Sequence, residues 1–418
     1  MDDIFIKNIH INKVRHLENI EIPISETDRK HLILTGKNGS GKTSVLLEIK
    51  NWLKGNVESS ELSTEIETLE KTIDEIINLQ ELFPNIPVNE KEPVQETQKE
   101  ALDEMRKTYQ LKLDKLNTLD IKLTHVFNRL CFEQGNFVLA HFGAKRNLVI
   151  DVPKGINKID VKEKYGLDEN VGKNFVQHIV NLKADRSFAR DDNDENAASQ
   201  IDKWFVDFEK SLQLIFSDDT LKLEFDRKIY NFSLINEGKE VSDFTTLSDG
   251  YSAIFNIISE LIMRMENKAS RSYDIQGIVL IDEIETHLHI DLQKKILPFL
   301  TSFFPKIQFI VSTHSPFVLN SIKNTVIFDL EKKVLVEDMT GYSINSIVES
   351  YFDADNYSTV VKEKMSRYEK LSEQDDLSEE EDDELFELKE YFEDLPKMFS
   401  PELALKINQI QLANLSIK

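Results

Sequence analysis

A glycine-rich loop near the start of the chain has the clearest potential for chemistry. It runs Gly36-Lys37-Asn38-Gly39-Ser40-Gly41-Lys42-Thr43 and matches the pattern G-x-x-x-x-G-K-[ST] at every position. Its glycines let backbone N–H groups converge on phosphate oxygens, and the positive end of a following helix favours the same anions. In this pattern Lys42 reaches the β- and γ-phosphates, and the Thr43 hydroxyl coordinates Mg²⁺. The predicted phosphate-binding residues are Asn38, Gly39, Ser40, Gly41, Lys42, Thr43 and Ser44.

Two adjacent carboxylates, Asp282 and Glu283, follow the apolar run Ile278 to Ile281. A buried strand that ends in this way places its carboxylates at the sheet edge where ligands bind. Asp282 is suited to hold Mg²⁺ through water, and Glu283 is suited to orient and polarise an attacking water molecule. A strand ending in Asp-Glu is a weak signal alone, but together with the phosphate loop it predicts phosphoanhydride hydrolysis.

Two further candidates accompany these motifs. His314 follows the apolar strand 309–313, and a polar ring at that edge can sense a γ-phosphate, although a lone histidine is more often structural. Leu247-Ser248-Asp249-Gly250-Tyr251-Ser252 precedes an apolar helix, with Ser248 as its N-cap. Gly250 permits close backbone approach, so the helix start offers a second anion site. Taken alone, this segment is explained as well by a simple capped helix.

The pattern of apolar residues predicts the elements that position these groups. The expected order is a hairpin over 4–24, strand 31–35, helix 42–53, strand 137–140, a polar loop 184–198, helix 201–215, strands 221–225 and 230–234, helix 254–265, strand 278–281, helix 292–304 and strand 307–312. Alternation of strands and helices is typical of a parallel sheet with helices packed on it.

Residues 59–130 have a different character. Leu62, Ile66, Leu69, Ile73 and Ile76 follow a heptad spacing, and 83–93 contains three prolines. A second run of helical spacing follows, with Leu102, Met105, Tyr109, Leu113, Leu116, Leu119, Leu123 and Val126. The segment therefore predicts an antiparallel coiled-coil hairpin, which either packs on the globular body or, as we favour, projects towards another subunit or partner.

Composition limits the remaining possibilities. Lys and Arg number 51 against 75 Asp and Glu, a net charge of −24, so the charge does not indicate nonspecific binding of nucleic acid. Thirteen acidic residues against Lys389 alone lie in 373–394, whose second half predicts an amphipathic helix. Cys131 is the only cysteine, which excludes an internal disulfide and a multi-thiolate zinc site. Without a bilayer-length apolar run or a signal peptide, we expect no membrane association and a cytoplasmic location.

At these motifs the sequence resembles the ATP-binding-cassette (ABC) ATPases of the RecF, structural-maintenance-of-chromosomes (SMC) and OLD-nuclease lineage. The resemblance implies an α/β P-loop ATPase head, with a mixed sheet flanked by helices and an inserted antiparallel coiled-coil hairpin. It implies ATP and Mg²⁺ as ligands, and Glu283, Lys42 and His314 as catalytic residues. In that lineage the Leu-Ser-x-Gly signature of one subunit closes over ATP on the other. Here Ser248 and Gly250 would act in trans, opposite Lys42, Thr43, Asp282, Glu283 and His314.

Within that lineage, Leu247 to Ala253 and the long tail resemble stand-alone ATPases of anti-phage systems, such as PtuA of Septu and retron-associated systems and AriA of PARIS. This implies a homodimer or larger homo-oligomer that regulates a separate effector, a nuclease. The alternatives are a DNA-repair or chromosome-maintenance ATPase that binds DNA directly, and a nucleotide-gated scaffold with negligible turnover. The expected regions are an N-terminal head part (1–58), the hairpin (59–130), the rest of the head (131–335) and a helical acidic region (336–418).

Three more residues are weaker candidates for the nucleotide pocket. Gln134 lies between the predicted hairpin and the next strand, and is either the lineage's Mg²⁺-binding glutamine or a plain turn residue. Arg15 and Arg146 are either nucleotide contacts or surface residues.

Overall fold

The computed structural model describes residues 3–58, 118–124, 134–146, 148–159, 161–237, 242–266, 273–352, 357–374 and 377–394, with isolated positions at 68, 71–72, 107–108, 132, 405 and 407–409. These residues form two compact units, Met1–Tyr342 and Ser343–Lys418. Most of the coiled-coil hairpin expected over 59–130 lies outside the described residues, so the hairpin remains a prediction.

A largely parallel sheet occupies the centre of the first unit, with strand order β12-β11-β3-β10-β9-β5. Its strands are β3 (His31–Thr35), β5 (Phe137–Phe142), β9 (Gln276–Ile281), β10 (Ile307–Ser312), β11 (Thr325–Asp329) and β12 (Val334–Val336). All neighbours pair in parallel except β11 and β12. Buried apolar runs form β3, β9 and β10, as parallel strands covered on both faces require. The expected α/β architecture, a mixed sheet flanked by helices, is confirmed.

A second sheet joins β1 (Ile6–Val14) to β2 (Leu17–Pro23) and β4 (Leu119–Leu123). The hairpin over 4–24 is confirmed, but the placement of Leu119 and Leu123 on a second coiled-coil arm is wrong. Leu119 and Ile121 alternate with exposed residues and pair with β1, which buries them in the core. The four-residue spacing of Leu119 and Leu123 fits a strand as well as a helix. The segment forms a strand because the edge of β1 is available for pairing.

Two glutamines join the sheets. Gln276 Oε1 accepts the Ile4 N–H at 2.9 Å, and Gln308 Oε1 accepts the Ile6 N–H at 2.7 Å. Gln308 is fully buried and also donates to the Ile6 carbonyl at 3.0 Å. These bonds fix the first strand against β9 and β10.

The helices of the first unit are α1 (Lys42–Leu53), α2 (Phe175–Asp191), α3 (Glu195–Phe216), α4 (Asp249–Met265) and α5 (Ile290–Phe303). Short turns of helix lie at Lys54–Glu58, Gly172–Asn174 and Pro316–Leu319. A third sheet contains β6 (Lys222–Asp226), β7 (Asn231–Ile235) and β8 (Ser242–Asp243). An aromatic cluster of Phe175, Phe208, Phe244 and Phe255 packs α2, α3 and α4 together.

The polar loop expected over 184–198 is wrong. Helix α2 continues to Asp191, and α3 begins at Glu195. Asp194 caps α3 by accepting the Ala197 N–H at 3.0 Å, and Arg186 and Arg190 of α2 pair with Asp202 of α3. The charged residues that suggested a loop are the solvated faces of two antiparallel helices.

The second unit contains α6 (Thr359–Ser372) and α7 (Glu379–Asp394), with short helical turns at Ile344–Ser346 and Ile347–Tyr351. Its small core includes Met365, Tyr368, Leu388 and Phe392. The predicted amphipathic helix in the acidic stretch is thus confirmed as α7. Among the described residues, no helix combines the length and apolar composition needed to cross a bilayer.

His31 of β3 predicts a pH dependence of stability. Its ring is buried, and Nδ1 accepts the Phe309 N–H at 3.1 Å. Burial, followed by the charge of Arg29, lowers the pKa of His31 to about 4. The unfolded state binds this proton near pH 6.5, so the stabilisation is complete above that pH and is lost as the pH falls towards 4. We expect unfolding free energy to fall by about 2 kcal/mol from pH 7 to pH 5 through this group.

Urea unfolding of wild type and His31→Asn at both pH values measures this effect, because the Asn side chain keeps an acceptor without titrating. The variant should show a smaller loss than wild type. Equal losses would mean that His31 does not contribute. His289→Asn, at an exposed position, is the control and should behave as wild type does.

Candidate functional site

The predicted functional residues meet at one edge of the central sheet. Strands β3, β10, β9 and β5 run parallel, so their carboxyl ends share that edge. The phosphate loop follows β3, His314 follows β10, and Asp282 and Glu283 follow β9. This is the edge at which parallel α/β sheets bind their ligands.

The phosphate loop has a backbone that its glycines make possible. Gly36, Gly39 and Gly41 have φ angles of 131°, 85° and 100°, which side-chain-bearing residues rarely adopt. A Cβ on Gly36 would also lie 2.8 Å from Ser40 Oγ. Helix α1 begins directly after Gly41, so its first N–H groups face the space that the loop surrounds.

Lys42 lies at the centre of this loop and is buried. Its Nζ donates to the carbonyl of Gly36 at 2.8 Å and to that of Lys37 at 3.1 Å. Burial lowers the pKa of Lys42, while the nearby carboxylates of Glu283, Glu285 and Asp282 raise it. The ammonium is therefore held over the loop, in the position from which it can meet phosphate oxygens.

Thr43, Asp282 and Ser312 form a connected group of oxygens. Thr43 Oγ1 donates to Asp282 Oδ1 at 3.3 Å, and Ser312 Oγ donates to the same oxygen at 2.5 Å. Ser312 Oγ also accepts the Glu283 N–H at 2.7 Å. Sequence reasoning missed Ser312, whose place as the last residue of β10, two before His314, was the available signal.

This group fits a magnesium ion by the chemistry of its donors. A hydroxyl and a carboxylate are the hard oxygen ligands that Mg²⁺ takes, and it commonly completes its shell with water and substrate phosphate. Within the described ranges, no group of three or more His, Cys, Asp or Glu side chains is arranged to hold a metal ion. Thr43 and Asp282 are thus the residues that would hold the ion.

A third acidic residue, Glu285, lies in the same turn as Glu283 and contacts His314. Glu283 Oε2 accepts the Thr286 hydroxyl at 3.2 Å, and Glu285 Oε1 accepts the His314 backbone N–H at 2.5 Å. Burial, then the charge of Lys42, lowers the pKa of His314, although the three neighbouring carboxylates raise it. The lowered pKa favours the neutral imidazole, which can donate one hydrogen bond. Sequence reasoning did not assign Glu285 a role.

The Leu-Ser-x-Gly segment begins helix α4, as predicted. Ser248 is the N-cap residue, but its side chain makes no capping hydrogen bond, and it is exposed. Gly250 is buried against the turn after β9, where an added Cβ would lie 2.8 Å from the His287 carbonyl oxygen. The signature therefore packs beside the turn that follows Asp282 and Glu283 of its own chain.

Gly250→Ala is expected to displace the start of α4, because the clash is with backbone. We expect nucleotide binding by the single chain to be retained and steady-state ATP hydrolysis to fall by about 10-fold or more. Fluorescent-nucleotide titration and a phosphate-release assay separate the two quantities. Gly341→Ala, where nothing lies within 4 Å of the added Cβ, is the matched control and should behave as wild type does. Unchanged hydrolysis in Gly250→Ala would show that this close approach is dispensable.

The weaker candidates have different positions. Gln134 lies in a turn before β5, at the sheet edge opposite the phosphate loop, so the plain turn alternative is correct. Arg15 has a φ of 55° in the exposed turn between β1 and β2, and its nucleotide contact stays a prediction. Arg146 is buried and donates to the carbonyls of Asp282 and Glu283, so the surface alternative is wrong for this residue.

Comparisons with known proteins agree with the motifs. A family model described as "AAA domain, putative AbiEii toxin, Type IV TA system" matches residues 160–320. Septu protein PtuA of Bacillus mycoides (strain KBAB4) is 27% identical over 340 residues, covering 80% of this chain and 41% of that protein. The retron Vc95 probable ATPase of Vibrio cholerae serotype O1 biovar El Tor is 31% identical over 171 residues, covering 40% and 30% respectively.

Among solved structures, the SMC head domain from Thermotoga maritima aligns with a TM-score of 0.34 and 13% identity, covering 78% of this chain and 94% of that one. That TM-score is low, so the relationship rests on the motifs and the sequence relatives. The chain spans less than half the length of those relatives, at 41% and 30%. The resemblance to defence-system ATPases inferred from the motifs is confirmed: residues 160–320 match an AAA-domain family model, and the chain is similar in sequence to the Septu protein PtuA and to a probable retron ATPase.

Proposed function

We propose that this chain is a Mg²⁺-dependent ATPase that dimerises through ATP and regulates a separate effector, a nuclease, in bacterial anti-phage defence. The observation that carries the proposal is the convergence of five side chains at one sheet edge. These are Lys42, Thr43, Asp282, Glu283 and His314. Its single cysteine suits a reducing cytoplasm.

Binding of ATP is the work of the loop and of Lys42. The N–H groups of the loop and of the first turn of α1 donate to the phosphates, and Lys42 exchanges its two carbonyl acceptors for phosphate oxygens. That exchange requires little rearrangement of the side chain, because the ammonium already lies over the loop. When bound beside Thr43 and Asp282, Mg²⁺ neutralises phosphate charge.

Hydrolysis requires a base that points at the γ-phosphate. Glu283 supplies a carboxylate that orients water and accepts its proton. The Ser312 hydroxyl accepts a hydrogen bond from the Glu283 backbone and donates one to the Asp282 carboxylate. It therefore fixes the positions of these two acidic residues relative to each other. Neutral His314 donates a hydrogen bond to the γ-phosphate and thereby reports whether it is present.

The trans arrangement is supported by the start of α4. The Ser248 hydroxyl is exposed and makes no cap bond, and the helix N-terminus attracts anions. A second copy of the chain would close this surface over its partner's γ-phosphate. Regulation of an effector is supported by the relatives, whose names place them in Septu and retron systems.

Phosphate release by the purified full chain with Mg²⁺ and ATP tests the enzyme activity. Wild type should hydrolyse ATP, and omission of Mg²⁺ with added EDTA should abolish the reaction. A single turnover with no further product would indicate the nucleotide-gated scaffold instead. Absence of any hydrolysis, with ATP bound, would contradict the proposal.

Co-expression with proteins encoded beside this chain tests the partner. A nuclease that co-purifies in a manner dependent on Lys42 supports the effector role. ATP-stimulated, salt-sensitive binding of duplex DNA by the isolated chain would favour the DNA-maintenance alternative.

A further inference from the structure

Arg146 is a buried side chain with several hydrogen bonds beside the site, and the proposed chemistry gives it no role. It lies four residues after the end of β5 and is 6% exposed. Its guanidinium donates to four backbone carbonyls of a single turn. The acceptors are the carbonyl oxygens of Asp282 (2.8 Å), Glu283 (3.0 Å), Ile284 (3.2 Å) and Thr286 (3.4 Å).

That turn has a conformation that needs support. Glu283 has a φ of 46° and His287 a φ of 67°, both in the left-handed region. For residues other than glycine this conformation costs about 1 kcal/mol each, and it persists only where the surroundings impose it. The Glu283 backbone is held on both sides, since its N–H donates to Ser312 Oγ and its carbonyl accepts from Arg146.

The position of Arg146 is itself fixed by the sheet. Phe142, the last residue of β5, pairs with Ile281 of β9, and its carbonyl accepts the Asp282 N–H at 2.8 Å. The chain therefore passes from β5 to Arg146 alongside the start of the turn. A planar guanidinium with five donors can bond several carbonyls at once, whereas a lysine ammonium donates from a single atom.

We infer that Arg146 is a positioning residue for hydrolysis: it imposes the backbone of the 282–286 turn and so aims the Glu283 carboxylate at the attacking water. The inference rests on the proposed ATPase function. Arg146 acts on the rate of the chemical step through Glu283, and it makes no contribution to the affinity for ATP.

Steady-state kinetics of Arg146→Lys and Arg146→Gln in the full chain test this. We expect kcat to fall by about 10- to 100-fold, with KM for ATP changed by less than about threefold. Binding of a fluorescent ATP analogue confirms that each variant is folded. A rise in KM with unchanged kcat would assign Arg146 to nucleotide binding and overturn the inference.

A double-variant comparison adds a readout that a merely structural role would not produce. If Arg146 acts through the Glu283 side chain, Arg146→Lys should lower the residual rate of Glu283→Gln by less than about twofold. If the rate losses of the two single variants multiply in the double variant, Arg146 acts through a group other than the Glu283 side chain.

Arg264 provides the matched control. It is a second buried arginine that donates to backbone carbonyls, those of Leu139 (2.7 Å), Gly166 (3.0 Å) and Glu169 (2.6 Å), away from the turn. Arg264→Lys should lower the thermal midpoint as Arg146→Lys does, with a smaller loss of kcat. Lys145→Ala, at an exposed position, should leave the thermal midpoint and kcat unchanged.

The failure of this inference can be told from the failure of the proposed function. If wild type hydrolyses ATP and Arg146→Lys hydrolyses it at the same rate, only this inference fails. If wild type does not hydrolyse ATP, the proposed function fails.

Discussion

Lys42→Ala is expected to weaken ATP binding by about 100-fold or more and to abolish hydrolysis. The Lys42 ammonium is a buried cation over the phosphate loop, held by two loop carbonyls. Removing it leaves phosphate charge uncompensated where water has little access. Isothermal titration with ATP and Mg²⁺ measures the affinity, and thermal unfolding without nucleotide shows that the variant folds.

Lys50→Ala is the control for this variant. Lys50 lies on the same helix two turns later and pairs with Asp168 at 2.6 Å, outside the loop. Its replacement should leave ATP affinity within about threefold of wild type, because a half-exposed ion pair contributes little to the loop. Wild-type affinity in Lys42→Ala would mean that the nucleotide binds elsewhere.

Glu283→Gln is expected to slow hydrolysis by about 100- to 10,000-fold while leaving ATP bound. The amide keeps an oxygen that accepts the Thr286 hydroxyl, so the turn is preserved, but it cannot take a proton. If two chains share each ATP, the unhydrolysed nucleotide should hold them together. Light scattering after gel filtration should then show an ATP-dependent dimer or larger assembly.

With ATP present, the double variant Lys42→Ala/Glu283→Gln should keep the oligomeric state of the nucleotide-free chain, because it binds ATP only weakly. Slow hydrolysis without association would retain the ATPase and reject the trans signature. Association of Glu283→Gln in the absence of ATP would indicate a contact unrelated to the nucleotide.

The phosphate loop and its flanking elements could be predicted closely because their signals are local. Helix α1 spans Lys42–Leu53 and β10 spans Ile307–Ser312, as the sequence indicates. In each case an apolar run ends at glycines or polar residues, so the signal for the end of the element lies within the segment itself. Asp282 and Glu283 were predictable for the same reason.

Other features depended on partners distant in sequence. Leu119–Leu123 is a strand because β1 offers it an edge, and helical spacing alone could not show that edge. The sequence left Arg146 as either a nucleotide contact or a surface residue, because its acceptors are backbone carbonyls, which a pattern of side chains does not reveal. Gln134 could be excluded from the nucleotide pocket only when the direction of β5 was known, because that direction places Gln134 at the sheet edge opposite the phosphate loop.

The strand order of the central sheet has a consequence for synthesis on the ribosome. Leu32 of β3 lies beside Ile310 of β10 and Val326 of β11, whose codons are translated far later. At about 5–20 residues per second, β3 emerges roughly 14 to 56 s before its neighbours exist. During that interval a five-residue strand with three apolar side chains has no sheet to join, so the nascent chain should be a substrate for ribosome-associated chaperones. Premature termination before β10 should yield aggregates.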